Sequence, residues 1–157
     1  MAAPNFFIVG AAKSGTTSMW RYLNQHPGVY MPDSRIGKEP AFYSGIYGFE
    51  SRDRYNSLFE GVSDDHEAIG EASTAYLTDP TCAEHIAAEV PHARIIIMLR
   101  NPVDRSYSLY NWMTQEGYEY ASTFERALEL ENDRAGDPDF VRDNPQYYYN
   151  YLYYRSG

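Results

Sequence analysis

The sequence predicts an α/β fold, a parallel sheet flanked by helices, on three observations. The apolar run Phe6-Phe7-Ile8-Val9 breaks at Gly10, and the chain restarts as a helix after Gly15. The run Ala93-Arg94-Ile95-Ile96-Ile97-Met98-Leu99 is the strongest strand pattern in the chain. Its apolar residues do not alternate with polar ones, which predicts a parallel strand covered on both faces. Helical stretches separate the strand patterns, as right-handed crossovers between parallel neighbours require. Such sheets bind ligands beyond the carboxyl ends of their strands. Gly10 and Arg100 both follow strands and are expected on that rim.

In chain order, the first helix is predicted from Thr16 to about Asn24, ended by His26-Pro27-Gly28. Met19, Trp20 and Leu23 recur at helical spacing and should face the sheet. A polar loop runs to Pro40, followed by Ala41-Phe42-Tyr43 and a Gly- and Tyr-bearing stretch to Phe49. Residues 50–60 predict a short helix with Tyr55, Leu58 and Phe59 on one side. Ala68-Ile69-Gly70-Glu71-Ala72-Ser73 is a weaker strand, its small residues suited to a crowded interior. Asp79-Pro80 opens a helix through Val90. Asn101-Pro102 caps and starts another through about Glu116. An acidic helix follows from Thr123 to about Arg134, and the chain then reaches the cluster Tyr147-Tyr148-Tyr149-Asn150-Tyr151-Leu152-Tyr153-Tyr154.

The length of 157 residues suits one domain. The net charge of −9 argues against nucleic acid and anionic membranes as partners, so any anionic ligand must be held by local donors. The single Cys82 permits no internal disulfide and no thiolate metal cluster, which points to a reducing compartment. No secretory leader pattern or bilayer-length apolar run is present. The expectation is a soluble cytoplasmic protein. The four histidines lack the mutual spacing of a metal site.

A strand, a glycine-bearing loop and a helix start build an anion pocket from backbone N–H groups. Gly10 and Gly15 have the spacing of a nucleotide P-loop, yet Thr16 stands where a P-loop NTPase has lysine. The loop's lysine is Lys13, three places early. The strongest strand leads to Arg100 instead of the carboxylate that commonly holds Mg²⁺. A cation there calls for a second anion on the ligand. Ser108, eight residues after Arg100 and roughly two turns up the helix, can grip the same anion.

These residues resemble the sulfotransferases that use 3′-phosphoadenosine 5′-phosphosulfate (PAPS). Lys13-Ser14-Gly15-Thr16-Thr17 resembles that family's 5′-phosphosulfate loop. Arg100-Asn101-Pro102-Val103-Asp104-Arg105-Ser106-Tyr107-Ser108 resembles its 3′-phosphate motif. Leu23-Asn24-Gln25-His26-Pro27, Lys38-Glu39-Pro40-Ala41-Phe42-Tyr43 and Glu71-Ala72-Ser73-Thr74-Ala75-Tyr76 are further matching pieces, in the family's order. The nearest subgroup is the carbohydrate-type and bacterial enzymes. The resemblance implies a P-loop-like sheet and PAPS as sulfuryl donor without a metal. It also implies a carbohydrate or small-molecule acceptor. Ser14, Gly15, Thr16 and Thr17 would hold the 5′-phosphate, and Lys13 the bridging oxygen and sulfuryl group. Arg100 and Ser108 would hold the 3′-phosphate, and Glu39 would be the catalytic base. Glu71 reads as a buried or orienting partner.

The sequence departs from the family at Ala72, where some carbohydrate enzymes carry lysine, and at Ser18, where cytosolic members carry tryptophan. Arg155-Ser156-Gly157 matches the start of a family segment. The expectation is therefore the N-terminal part of one sulfotransferase domain, 1–157, incomplete at its C-terminus and able to self-associate through the Tyr147–Tyr154 face. Two other readings stand beside it: a small-molecule kinase or P-loop NTPase with an aberrant loop, and a non-catalytic nucleotide-binding module.

Overall fold

In the computed structural model, which describes residues 3–32, 38–45 and 48–143, the first apolar run becomes β1 (Phe6–Gly10), buried along its whole length. Three further strands follow: β2 (Val29–Tyr30), β3 (Ala68–Ala72) and β4 (Arg94–Ile97). They form one sheet in the order β2-β3-β1-β4, and every pairing is parallel. The α/β prediction holds. The chain divides into two compact units, Met1–Leu99 and Arg100–Gly157, and the sheet lies in the first.

Each face of the sheet has its own core. On one, Phe6 and Ile8 pack with Trp20, Met31 and Ala72, and Met19 and Leu23 adjoin them. This is the face of α1 (Thr16–Leu23), as its spacing predicts. Phe6 pairs with Gly70 in register. A Cβ on Gly70 would stand 2.1 Å from the Phe6 ring and 2.3 Å from the Met31 sulfur, so the strand needs glycine there. On the other face Phe7 and Val9 meet Tyr43, Tyr55, Phe59, Tyr76 and Ile86. α2 (Arg52–Ser57) and α3 (Cys82–Glu89) serve this side, each with a buried residue in the cluster. Tyr55 and Phe42 stack at 4.2 Å there.

Three details differ from the sequence reading. β4 is an edge strand, and its alternate residues Ile95 and Ile97 are 48 % and 53 % exposed, so only Ile96 packs on a core. The unbroken apolar pattern was read as two covered faces, but among the described residues one face of β4 lies open. α3 starts at Cys82 rather than at Asp79-Pro80. The Asp79 carboxylate instead closes a turn by accepting from the Thr81 amide and hydroxyl. β2 and the 3-10 turn Thr74–Leu77 were not anticipated.

The second unit contains α4 (Pro102–Gln115), α5 (Phe124–Gly136) and α6 (Pro138–Asp143). The Asn101 side chain accepts from the amides of Val103 and Asp104, and Pro102 opens α4, as expected. Thr123 caps α5 through the Arg126 amide. Within this unit Arg134 pairs with the buried Glu119 at 3.0 Å, and the Tyr107, Tyr110 and Phe124 rings cluster. Among the described residues no helix is long and apolar enough to cross a membrane. The Tyr147–Tyr154 cluster and Arg155-Ser156-Gly157 lie outside the described residues.

Candidate active site

The glycine loop leaves β1 at its carboxyl end. Gly10 has φ 144° and Gly15 φ 90°, and Lys13 between them sits at φ 64°. A side chain makes that left-handed conformation uncommon, so the loop's shape is imposed by its surroundings. Met98 and the loop exchange hydrogen bonds, Met98 N–H to the Gly10 carbonyl at 2.7 Å and Ala11 N–H to the Met98 carbonyl at 2.8 Å. These tie the loop to the end of β4.

Gly15 is the N-cap of α1, and no side chain caps that terminus. Its first-turn amides therefore project at the loop, where the helix dipole favours an anion. Thr16 is buried and Thr17 exposed. The Ser14 amide donates to the Ala11 carbonyl at 3.2 Å. The Ser14 hydroxyl is buried with no hydrogen-bond partner among the described residues, a polar atom that an anion in the loop would satisfy. The donor set thus fits an anionic group such as a phosphate.

Glu39 is held at the same end of the sheet. Its amide donates to the Ala72 carbonyl, the last residue of β3, at 2.9 Å. Its carboxylate accepts from the Thr74 amide at 2.7 Å and the Thr74 hydroxyl at 3.1 Å, and pairs with the Lys38 ammonium. Glu39 and Ala41 both take positive φ, 63° and 47°, on either side of Pro40. The 3-10 turn that supplies Thr74 also abuts β1. A Cβ on Gly10 would lie 2.9 Å from Leu77 Cβ and 3.4 Å from the Thr74 carbonyl oxygen. Glycine at position 10 lets the loop and the anchor of Glu39 meet.

Behind Glu39 lies Glu71, fully buried on the Phe7 face of β3. Its carboxylate accepts hydrogen bonds from Ser73 Oγ at 2.6 Å, Tyr55 Oη at 2.9 Å and Tyr76 Oη at 2.9 Å. Burial pushes its pKa up to about 7, against the three hydroxyls that favour the ionised form. The nearby Glu39 charge adds to the upward push. Burial and Glu71 together drive the Tyr55 and Tyr76 phenols far above the ordinary tyrosine range.

Arg100 and Ser108 belong to the second unit. Arg100 is exposed directly before the α4 cap, and Ser108 is half-buried in the helix. The seven steps from Asn101 to Ser108 make nearly two turns, which keeps Ser108 on the face above the cap. The first unit thus brings together Lys13, Ser14, Gly15, Thr16, Thr17 and Glu39 at one end of the sheet.

Sequence reasoning missed Thr74, Ser73 and Lys38 as partners of the site, and took Tyr55 as a core residue only. The signal was available for Glu71. A carboxylate within a run of small strand residues must find donors when buried. Among the described residues no group of three or more His, Cys, Asp or Glu side chains is placed to hold a metal ion.

The chain's similarities bear on what this end of the sheet is for. The sulfotransferase from Alicyclobacillus acidocaldarius shares 37% sequence identity and a TM-score of 0.81, over 98% of this chain and 64% of that one. The membrane-associated sulfotransferase kil1 of Dictyostelium discoideum is 32% identical over 117 residues, 73% of this chain and 24% of that protein. The bifunctional heparan sulfate N-deacetylase/N-sulfotransferase 2 of Bos taurus is 31% identical over 168 residues, 98% of this chain and 19% of that protein. The chain therefore spans about a quarter or less of these curated relatives. The sulfotransferase domain model matches residues 3–151, through both the glycine loop and the α4 cap. With the parallel sheet, the uncapped loop and the anchored carboxylate in that alignment, the chain belongs to the sulfotransferase domain family.

Proposed function

We propose that the chain carries the donor-side chemistry of a sulfotransferase that moves a sulfuryl group from PAPS to a hydroxyl or amine. The observation that carries the reading is the placement of Glu39. Its carboxylate is fixed by Thr74, on the turn that abuts the glycine loop at Gly10.

In this reading the amides of Gly15 to Thr17 and the Ser14 hydroxyl bind the donor's 5′-phosphate. Lys13 offsets negative charge on the bridging oxygen as its bond to sulfur breaks. Arg100 and Ser108 bind the 3′-phosphate. Glu39 takes the acceptor's proton while the acceptor oxygen or nitrogen forms its bond to sulfur. The products are a sulfate ester or sulfamate and adenosine 3′,5′-bisphosphate.

The heparan sulfate N-sulfotransferases among the relatives support a carbohydrate amine as the first acceptor to try. The net charge of −9 favours an acceptor of low charge over a heavily sulfated chain.

Calorimetry with adenosine 3′,5′-bisphosphate and, separately, Mg·ATP tests the donor assignment. Tight binding of the bisphosphate without added metal is expected. A preference for Mg·ATP would replace this reading with a kinase or NTPase.

A further inference from the structure

We propose that Glu71 is a positioning residue that orients the Glu39 loop through the hydroxyls of Ser73 and Tyr76. Alternate amides of that loop hang on the end of β3 and the turn after it. Glu39 N–H donates to the Ala72 carbonyl at 2.9 Å. Ala41 N–H donates to Ser73 Oγ at 2.9 Å, and Tyr43 N–H to Tyr76 Oη at 3.3 Å. Both of these hydroxyls donate in turn to Glu71, at 2.6 and 2.9 Å. The Tyr55 hydroxyl from α2 fills a further place on the same carboxylate.

The direction of these bonds follows from the donor inventory. An ionised carboxylate only accepts, and a hydroxyl has one hydrogen. With the carboxylate ionised, each hydroxyl must therefore aim its hydrogen at Glu71, which leaves its lone pairs for the loop amides. A neutral amide at position 71 would bring two hydrogens of its own. At least one hydroxyl would then turn round and face a loop N–H hydrogen to hydrogen. The groups that bear on Glu71 are Tyr55 from α2, Ser73 and Tyr76 after β3, and Glu39 on the loop itself. Its burial keeps water from substituting for any of them. Glu39 and Ala41 hold left-handed backbone conformations, which need such external support.

The inference rests on Glu39 being the base, and the test separates the two. The full chain is compared with Glu71→Gln and Tyr76→Phe by amide hydrogen exchange. Kinetics with PAPS and a de-N-acetylated heparosan oligosaccharide complete the comparison. Protection at Ala41 and Tyr43 should fall about tenfold or more in Glu71→Gln, with Phe7 and Ile8 in β1 unchanged. Tyr76→Phe should release the Tyr43 amide alone, and it carries the test if Glu71→Gln does not fold. In Glu71→Gln, kcat should drop by about 100-fold while KM for PAPS stays within about twofold. Unchanged protection at both loop amides overturns the role of Glu71. Released amides with an undiminished kcat leave that role standing and remove Glu39 as the base.

Discussion

In the proposed reading the chemistry turns on Lys13, whose backbone holds a left-handed conformation. Because it is assigned to charge that develops only as the donor bond breaks, Lys13→Ala should lower kcat by about 100-fold or more. Binding of the bisphosphate should weaken by less than about tenfold, measured by calorimetry. Equal losses in both would make Lys13 a plain phosphate ligand. Glu71 gives a second prediction at this scale, through pH. Its pKa rises from 4.5 to about 7 on folding. Between those values the folded chain keeps a proton that the unfolded chain has released. The Glu71 contribution to stability is therefore present in acid, falls as pH rises from about 4.5 to about 7, and is fully lost above that. The difference amounts to about 3 kcal/mol. Urea titrations at pH 5 and pH 8 should show the wild type losing about 2.5 kcal/mol of this relative to Glu71→Gln. Parallel curves for the two proteins would place the slope elsewhere.

At the scale of the element, β3 and α4 make contrasting demands on single residues. Gly70→Ala pushes a methyl into the Phe6 ring and the Met31 sulfur, both in the interior. About 3 kcal/mol of destabilisation is expected, read by denaturant unfolding. Asn101→Ala removes the cap of α4 and should cost about 1 kcal/mol by the same measurement, with Asn101→Asp close to wild type. The elements that were legible in sequence carried a local cause of this kind. α4 announced itself with Asn101-Pro102, α1 with Met19, Trp20 and Leu23, and β1 with its unbroken apolar run. Those that were not legible depend on partners far along the chain. Val29–Tyr30 is a strand only because Ala68 and Ile69 lie alongside it. The turn at Thr74 is fastened to Glu39, 35 residues earlier, through the Thr74 amide and hydroxyl. The site divides the same way. The glycine loop could be read from its spacing, but the network around Glu71 joins residues 16 apart for Tyr55 and only 2 apart for Ser73. No periodic pattern encodes such a mixture.

For the molecule as a whole, the open side of β4 is the main feature left over by the site. Val9, Leu77, Ile86, Val90, Ile95 and Ile97 line an apolar groove of about 400 Å³ that includes neither Lys13 nor Glu39. Among the described residues this edge of β4 is unpaired, and such an edge with exposed isoleucines promotes association. Sedimentation should show concentration-dependent self-association that Ile95→Lys or Ile97→Lys reduces, and concentration-independent monomers in the wild type would refute it. The sheet order has a further consequence, for the path by which the site comes into being. β1 is made first, yet Phe6 has no strand partners until Gly70 and Arg94 exist. Such distant pairings close late, because the intervening chain must give up its freedom before any contact rewards it. During synthesis the glycine loop emerges well before Met98, whose two hydrogen bonds hold Gly10 and Ala11 in the folded chain. If the bisphosphate binds as proposed, chains stopped before β4 should have no affinity for it, and binding should begin once the central strand is enclosed on both sides.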